Sequence, residues 1–172
     1  ILTNAINRVP LLETAGIQLF FNGPESFTPD VRYYLGEAPE VKGVYVATGF
    51  NSIGIQSSGG AGLVLSKWIK NGHSPIDVNG IDIRRIHPFQ SVKKYVGERV
   101  SESLGLLYAM HWPSRQFESA RGARRTPFHA QLAAEGACFG EVAGWERANW
   151  YSEPGGSPRY EYSYGRENWF PN

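Results

Sequence analysis

Residues 44–72, VYVATGFNSIGIQSSGGAGLVLSKWIKNG, decide the fold of this chain because three structural signals follow one another within them. The run from Val44 to Ala47 is short, branched and aromatic, which predicts a buried strand. The glycine-rich run 49–54 predicts a loop. Apolar side chains then recur at helical spacing at Ala61, Val64, Leu65, Trp68 and Ile69. Because Gly72 and Pro75 are typical of a helix end, the sequence predicts a strand, a glycine-rich loop and a helix.

The segments on either side of this unit carry weaker signals. Arg8 to Ala15 has helix-like content, Ile17 to Phe21 is a strand candidate, and Thr28 to Asp30 is typical of a turn. Downstream, Pro88 favours a helix start. A connecting helix is predicted from a stripe at mostly four-residue spacing, formed by Val92, Val96, Val100, Leu104 and Leu107. The last block, residues 123–172, is aromatic and predicted to be irregular.

The composition is that of a globular protein, since 41% of the 172 residues are hydrophobic, 19% are charged, and the mean hydropathy is −0.35. A net charge of +1 is far from the basic excess of nucleic-acid-binding proteins, so we expect no nucleic-acid partner. No apolar run approaches the roughly 20 residues of a spanning helix, so we expect no membrane insertion. Cys138 is the single cysteine, which excludes an internal disulfide and favours a buried structural thiol.

The glycine-rich stretch has two phosphate-binding interpretations, and its spacing supports neither. A Walker loop starting at Gly54 has Gly60 where lysine is required, and a dinucleotide fingerprint starting at Gly60 has Leu65 in place of its third glycine. Glycines before a helix N-terminus still let a ligand that gains negative charge approach the backbone closely. The alternative is that small residues such as Gly59 and Gly62 only permit tight helix packing.

Other reactive side chains form no recognisable site. We expect no metal ion, because the histidines are scattered without the spacing of a metal-binding pair, at His73, His87, His111 and His129. Glu146 and Arg147 are candidates for a charged pair between Trp145 and Trp150, with structural packing as the alternative. No catalytic residue is assigned.

Several strings together resemble one family in its own order along the chain. Asn22–Asp30 (NGPESFTPD) with Leu35–Pro39 (LGEAP) resembles the late substrate-domain segment of the D-amino-acid-oxidase-like flavoproteins. Gly49–Ile55 (GFNSIGI), with GGAG at 59–62 and Trp68, resembles their last flavin-contacting loop and helix. Three strings resemble the linker domain of the dimethylglycine and sarcosine dehydrogenases: Asp82–Arg85, Tyr108–Pro113 and Ala120 with Arg121. The last strings resemble the N-terminal part of a glycine-cleavage aminomethyltransferase domain: Arg125–His129, Leu132, Gly136 with Ala137, Gly144–Arg147 and Tyr164–Phe170.

The resemblance implies an α+β fold in three parts. Residues 1–75 are expected to be the C-terminal part of a two-domain FAD-dependent oxidoreductase, residues 76–122 a helical linker domain, and residues 123–172 the start of an aminomethyltransferase-like, folate-binding domain. Both chain ends read as cuts, so we expect an internal fragment of a longer protein, inactive by itself. Apolar faces that would dock on the missing parts are then expected to be exposed.

The same resemblance implies a function for the whole protein. It is expected to demethylate an N-methyl amino acid of the dimethylglycine or sarcosine type oxidatively, with FAD as cofactor and an electron acceptor as second partner. The one-carbon unit would pass to tetrahydrofolate or leave as formaldehyde. Two alternatives remain: a non-catalytic relative such as the regulatory subunit of pyruvate dehydrogenase phosphatase, and a folate-dependent aminomethyltransferase without redox activity. The expected location is a bacterial cytoplasm or the mitochondrial matrix.

By resemblance, the cofactor-binding residues are Gly49, Phe50, Asn51, Ser52, Ile53 and Gly54. The backbone N–H groups of Ile53 and Gly54, with the helix dipole behind them, are expected to favour the reduced, anionic flavin. Side chains of Asn51 and Ser52 are expected to add hydrogen bonds. The alternative is that the loop only makes a tight strand-to-helix turn. In the folate-binding part, Trp145 is expected to pack, and Glu146 to orient backbone or Arg147.

Overall fold

The computed structural model describes residues 1–169 and consists of four α-helices and two small sheets. The helices are α1 (Leu2–Arg8), α2 (Gly54–Asn71), α3 (Lys93–Tyr108) and α4 (His129–Ala134). The strands are β1 (Tyr34–Glu37), β2 (Tyr45–Thr48), β3 (Arg124–Arg125), β4 (Ala137–Val142) and β5 (Trp145–Tyr151). Short 3₁₀ turns lie at Pro10–Glu13, Ile83–Arg85 and Pro88–Ser91. This mixture agrees with the expected α+β class. The end of the Tyr164–Phe170 string lies outside the described residues.

The predicted strand, loop and helix are confirmed. β2 pairs antiparallel with β1, and α2 ends at a left-handed Gly72 with φ of 77°, whose N–H donates to the Trp68 carbonyl at 2.8 Å. Trp68 is buried against β1, where a Cβ added to Gly36 would lie 2.7 Å from the indole ring. The expectation that β2 is buried was wrong, because β2 has a strand neighbour on one side only and Val44, just before it, is 47% exposed.

Two predictions for the N-terminal segment were wrong in detail. Residues 17–21 form no strand, and Phe20 and Phe21 are 84% and 83% exposed, because no partner strand within residues 1–169 is available to them. The helical content expected from residue 8 onward lies earlier instead, since α1 ends at Arg8 and only a 3₁₀ turn follows. The turn at residues 28–30 is confirmed by a bond from the Val31 N–H to the Thr28 carbonyl at 3.3 Å.

Helix α3 forms where predicted, but the row it buries is a different one. Its buried residues are Tyr95, Arg99 and Ser103, spaced four apart, whereas Val92 and Leu104 of the predicted stripe are 54% and 44% exposed. Apolar periodicity pointed to the wrong row because Arg99 and Ser103 are buried through specific polar partners, Arg99 by donating to the Ser119 carbonyl and pairing with Glu141, and Ser103 by donating to the Pro29 carbonyl.

The last block is more regular than its aromatic composition suggested. Strands β4 and β5 form an antiparallel hairpin, and β3 adds to β5 in parallel. The two residues of the hairpin turn, Ala143 and Gly144, have φ of 50° and 80°, the combination typical of a type I′ turn. Residues 152–169 remain without strands or helices, as predicted.

Residues 76–122 contact both neighbouring blocks. Arg85 holds Asp30 through two hydrogen bonds of 2.7 and 2.9 Å, and the Ser103 hydroxyl donates to the Pro29 carbonyl at 2.9 Å. On the other side, Arg99 is ion-paired with Glu141 of β4. The proposed domain boundaries near residues 76 and 123 stay predictions.

Large apolar side chains are exposed on several elements. Their exposure to solvent is greatest at Ile1, Ile55, Met110 and Tyr164. None of the helices formed by residues 1–169 is long and apolar enough to cross a membrane.

Candidate functional site

The loop at residues 49–54 has a left-handed backbone at three positions. Gly49, Asn51 and Ser52 have φ of 69°, 48° and 64°, a region that residues other than glycine rarely adopt. The Asn51 side chain, 1% exposed, stabilises this shape. Its Oδ1 accepts from the Thr28 N–H at 2.8 Å, and its Nδ2 donates to the Gly49 carbonyl at 2.7 Å. The hydrogen bonds that Asn51 was expected to offer a cofactor are therefore made within the protein.

The N-terminus of α2 opens directly behind this loop. The Ile53 N–H, one of the two donors expected to face a cofactor, donates to the Phe50 carbonyl at 2.9 Å and is already hydrogen-bonded within the loop. No side chain caps the helix. Within the described part of the chain, the N–H groups of Gly54, Ile55 and Gln56 have no acceptor, as is usual for a first helical turn. Free donors and partial positive charge thus lie one residue further along than predicted.

A cavity of about 380 Å³ lies against the loop and this helix start, with Gly54 and Ile55 in its wall. A Cβ added to Gly54 would meet only the Phe50 side chain, at an ordinary 3.6 Å. Backbone donors can therefore approach a ligand without side chains in between. This donor set fits the acceptor-bearing edge of a flavin ring, which gains negative charge on reduction.

The tight-packing interpretation of the glycines finds no support among residues 1–169. A Cβ added to Gly59, Gly60 or Gly62 would have no heavy atom within 4 Å.

Ser52 takes part in a contact that sequence reasoning missed. Its hydroxyl donates to Oε2 of Glu25, and it accepts the hydroxyl of Tyr108 at 2.5 Å. The three residues come from separate segments, with Glu25 lying 27 positions before Ser52 and Tyr108 lying 56 after it. Glu25 stands within the NGPESFTPD string, but no spacing rule links residues that are so far apart.

The predicted Glu146–Arg147 pair was wrong. Glu146 instead accepts from the Arg121 guanidinium, with Nε at 2.8 Å, and from the Gly122 N–H at 2.6 Å. Burial by itself raises the pKa of Glu146, but these hydrogen bonds and the charge of Arg121 outweigh burial and hold the pKa below its ordinary value. The expectation that Glu146 orients backbone is confirmed. Trp145 packs as expected, with the Arg124 guanidinium 4.1 Å from its ring centroid.

Cys138 is buried as expected, at 3% exposure. Burial raises the pKa of its thiol to about 11, and the nearby charge of Arg121 opposes that rise only in part. A thiolate is the reactive form of cysteine, so this residue is a structural thiol at neutral pH.

We expect Cys138 to react slowly with a thiol reagent at pH 8. A pKa of about 11 against an ordinary 9.0 lowers the thiolate fraction roughly 100-fold, and burial slows access further. The measurement is the labelling rate of the 172-residue chain, where Cys138 is the only cysteine, with and without denaturant. Equal rates in both conditions would contradict the buried, protonated thiol.

No group of three or more histidine, cysteine, aspartate or glutamate side chains that could hold a metal ion occurs in residues 1–169.

The chain matches one known protein domain and is similar to several known proteins. Residues 71–126 match the FAD dependent oxidoreductase central domain. The chain is 52% identical over 162 residues to 4-methylaminobutanoate oxidase (formaldehyde-forming) of Paenarthrobacter nicotinovorans. That alignment covers 94% of this chain and 20% of that protein. It is 42% identical over 161 residues to human mitochondrial sarcosine dehydrogenase, covering 93% and 18%. The mouse pyruvate dehydrogenase phosphatase regulatory subunit is 36% identical over 154 residues, covering 90% and 18%.

The chain thus spans about a fifth of the length of these relatives, and the similarity extends over nearly all of it. The matched central domain contains all of the strings on which the likeness to a linker domain rests, namely Asp82–Arg85, Tyr108–Pro113 and Ala120 with Arg121. Over nearly all of its length, the chain is therefore homologous to one segment of larger proteins that include sarcosine and dimethylglycine dehydrogenases, and residues 71–126 match the FAD dependent oxidoreductase central domain within that segment.

Proposed function

We propose that the whole protein is an FAD-dependent amine oxidoreductase that demethylates an N-methyl amino acid, and that residues 49–54 form part of its flavin site. The observation that carries the proposal is the uncapped start of α2 behind the loop, in a chain whose relatives include an oxidase and dehydrogenases of methylated amines. The substrate class follows the names of these relatives: 4-methylaminobutanoate, sarcosine and dimethylglycine.

FAD, when bound, supplies the acceptor for the hydride that leaves the N-methyl carbon of the substrate. The N–H groups of Gly54 and Ile55 lie free at the helix start and would hold the acceptor-bearing edge of the ring, where they would favour negative charge. Asn51 does not contact the cofactor in this proposal. Its buried hydrogen bonds hold the loop that brings those N–H groups into place. Gly54 contributes through its missing side chain, which allows the backbone to approach.

The substrate loses one hydride and becomes a carbon–nitrogen double-bonded cation. Water adds to that carbon, and the adduct divides into formaldehyde and the demethylated amine. Capture of the one-carbon unit by tetrahydrofolate is the second route, and it would use a folate-binding part that begins near residue 123. An electron acceptor is the proposed second partner. A bacterial cytoplasm or the mitochondrial matrix is the proposed location.

A non-catalytic role is the second candidate because one relative is a regulatory subunit. Purified full-length protein separates the candidates. Bound flavin absorbance with turnover of sarcosine, dimethylglycine or 4-methylaminobutanoate supports the oxidoreductase. Flavin without turnover of any of them favours the regulatory role, and a colourless protein that binds folate favours an aminomethyltransferase.

We expect Gly54→Val in the full-length protein to lower flavin content or the flavin reduction potential. The backbone at Gly54 tolerates a Cβ, so the branched side chain should enter the cavity rather than disrupt the loop. Flavin absorbance per protein and a redox titration are the measurements. Gly59→Val is the matched control, because it makes the same change on the same helix, at a position with open space around it and outside the cavity wall.

An unchanged potential in Gly54→Val, together with full flavin content and normal turnover, would remove this loop from the flavin site. An equal loss in Gly54→Val and Gly59→Val would assign the effect to α2 as a whole.

A further inference from the structure

Only one of the two carboxylate oxygens of Glu25 is hydrogen-bonded within residues 1–169. Its Oε2 accepts the Ser52 hydroxyl, which in turn accepts the Tyr108 hydroxyl, and we call these three residues the Glu25 row. Among residues 1–169 no donor reaches the other oxygen, Oε1. Tyr108 donates to Ser52 and Ser52 donates to Glu25, so the row ends in a carboxylate whose second oxygen is available to a further donor.

Among residues 1–169, the charge of Glu25 has no oppositely charged partner. No Lys, Arg or His side chain of the described residues forms an ion pair with it. Glu25 also lines the cavity beside the 49–54 loop, and the other nine lining residues are neutral. The cavity therefore carries a single negative side chain, which favours a cationic group of a ligand.

The backbone that presents Ser52 to Glu25 is in a conformation that needs support. Ser52 has φ of 64° and Asn51 has φ of 48°, although neither is glycine. Such positions persist where the surroundings hold them, and they concentrate at functional sites. Here the buried Asn51 side chain, bonded to Thr28, provides the support. The result is a serine hydroxyl directed at a carboxylate rather than at the uncapped start of α2.

We propose that Glu25 is the residue that binds the positively charged amine of the substrate. An ammonium N–H would donate to Oε1, while Ser52 and Tyr108 act as positioning residues that hold Oε2. The inference rests on the proposed oxidation of N-methyl amino acids and adds a residue that selects the charged amine over uncharged molecules of the same shape. The row acts in binding the ammonium form. The amine releases its N–H proton to solvent before the hydride leaves, because only a neutral amine becomes a singly charged iminium cation by losing a hydride.

The test uses ligands that carry no N-methyl group and so cannot be oxidised by demethylation. 4-Aminobutanoate and pentanoate have the same length and carboxylate and differ in an ammonium against a methyl group, and glycine and propanoate form the shorter pair. Their affinities for the full-length protein are measured by calorimetry. Wild type should bind the ammonium member of at least one pair more tightly than its isostere.

Glu25→Gln should weaken binding of that ammonium ligand about 10-fold or more, because a charge-assisted hydrogen bond is lost, and should change binding of the isostere less than about 2-fold. Ser52→Ala and Tyr108→Phe should weaken only the ammonium ligand, and by less. Glu25→Asp should recover part of the affinity. Glu40→Gln is the matched control, since Glu40 is an exposed acid outside the cavity wall.

Three outcomes overturn the inference: wild type that does not prefer the ammonium ligand, Glu25→Gln that changes neither affinity, and equal losses for both members of a pair. Flavin content and turnover are recorded separately. A colourless, inactive protein that still selects the ammonium ligand through Glu25 would contradict the proposed function and support the inference. An active flavoprotein whose ligand preference survives Glu25→Gln would contradict the inference alone.

Discussion

Replacing Arg99 by methionine should lower the free energy of unfolding by about 3–5 kcal/mol, because it leaves the Glu141 carboxylate charged and buried without its partner. The two side chains are 2% and 4% exposed. Arg99 also donates to the Ser119 carbonyl at 2.7 Å and stacks on Phe117, with its guanidinium carbon 4.3 Å from the ring centroid. One side chain thus joins α3, β4 and the segment between them.

Hydrogen exchange of α3 and of the β4–β5 hairpin in the full-length protein measures this loss locally. Arg159→Met is the matched control, since Arg159 and Glu161 form an exposed pair, at 73% and 53%, which should contribute less than about 0.5 kcal/mol. Replacing Arg99 and Glu141 together by apolar residues should recover part of the stability, because no unpaired charge remains. A loss in Arg99→Met no larger than that in Arg159→Met would show that the pair is not buried in the whole protein.

Gly49→Ala should destabilise the loop by about 2–4 kcal/mol, since it combines two costs. The φ of 69° disfavours any residue with a Cβ, by about 1–3 kcal/mol. That Cβ would also lie 2.5 Å from Cγ2 of Thr28, whose side chain is 1% exposed and has no room to move. Because Thr28 is bonded to Asn51, the displacement should reach the residue that holds the loop in shape.

The measurement compares Gly49→Ala with Gly54→Ala by thermal unfolding and by flavin content of the full-length protein. Gly54 has φ outside the left-handed region and ordinary space for a methyl group, so Gly54→Ala should leave stability nearly unchanged. Equal stability of the two variants would mean that Gly49 adopts another backbone conformation in the whole protein.

The predictions from sequence succeeded where local physics suffices. The strand, loop and α2 were predicted because a helix that begins after glycines and ends at Gly72 depends on neighbours within a few positions. The burial of Cys138 was predicted because no neighbour in the chain would lower the pKa of its thiol. The strand expected at residues 17–21 failed because a strand needs a partner, which a local pattern does not contain.

At the candidate site, too, local features were predicted from sequence and contacts between distant residues were missed. The sequence located the 49–54 loop but assigned its donors one residue too early, since only the bond from the Ile53 N–H to Phe50 shows which N–H groups are already used. Glu25 was missed because its contact with Ser52 spans 27 positions. Glu146 was paired with its neighbour Arg147, whereas adjacent residues in a strand point to opposite faces, and Arg121 lies on the correct face.

The sequence by itself predicted the strand–loop–helix unit, because that unit depends on residues close together in the chain. It also carried the resemblance to known flavoproteins, through an ordered set of strings along its length. Only the tertiary structure decided which charges are buried together, such as Arg99 with Glu141, and which donors stay free at the start of α2. The physical reason is that burial and hydrogen bonding depend on distances in space. A buried polar group must find its partner wherever the fold brings one, and no local pattern records that choice.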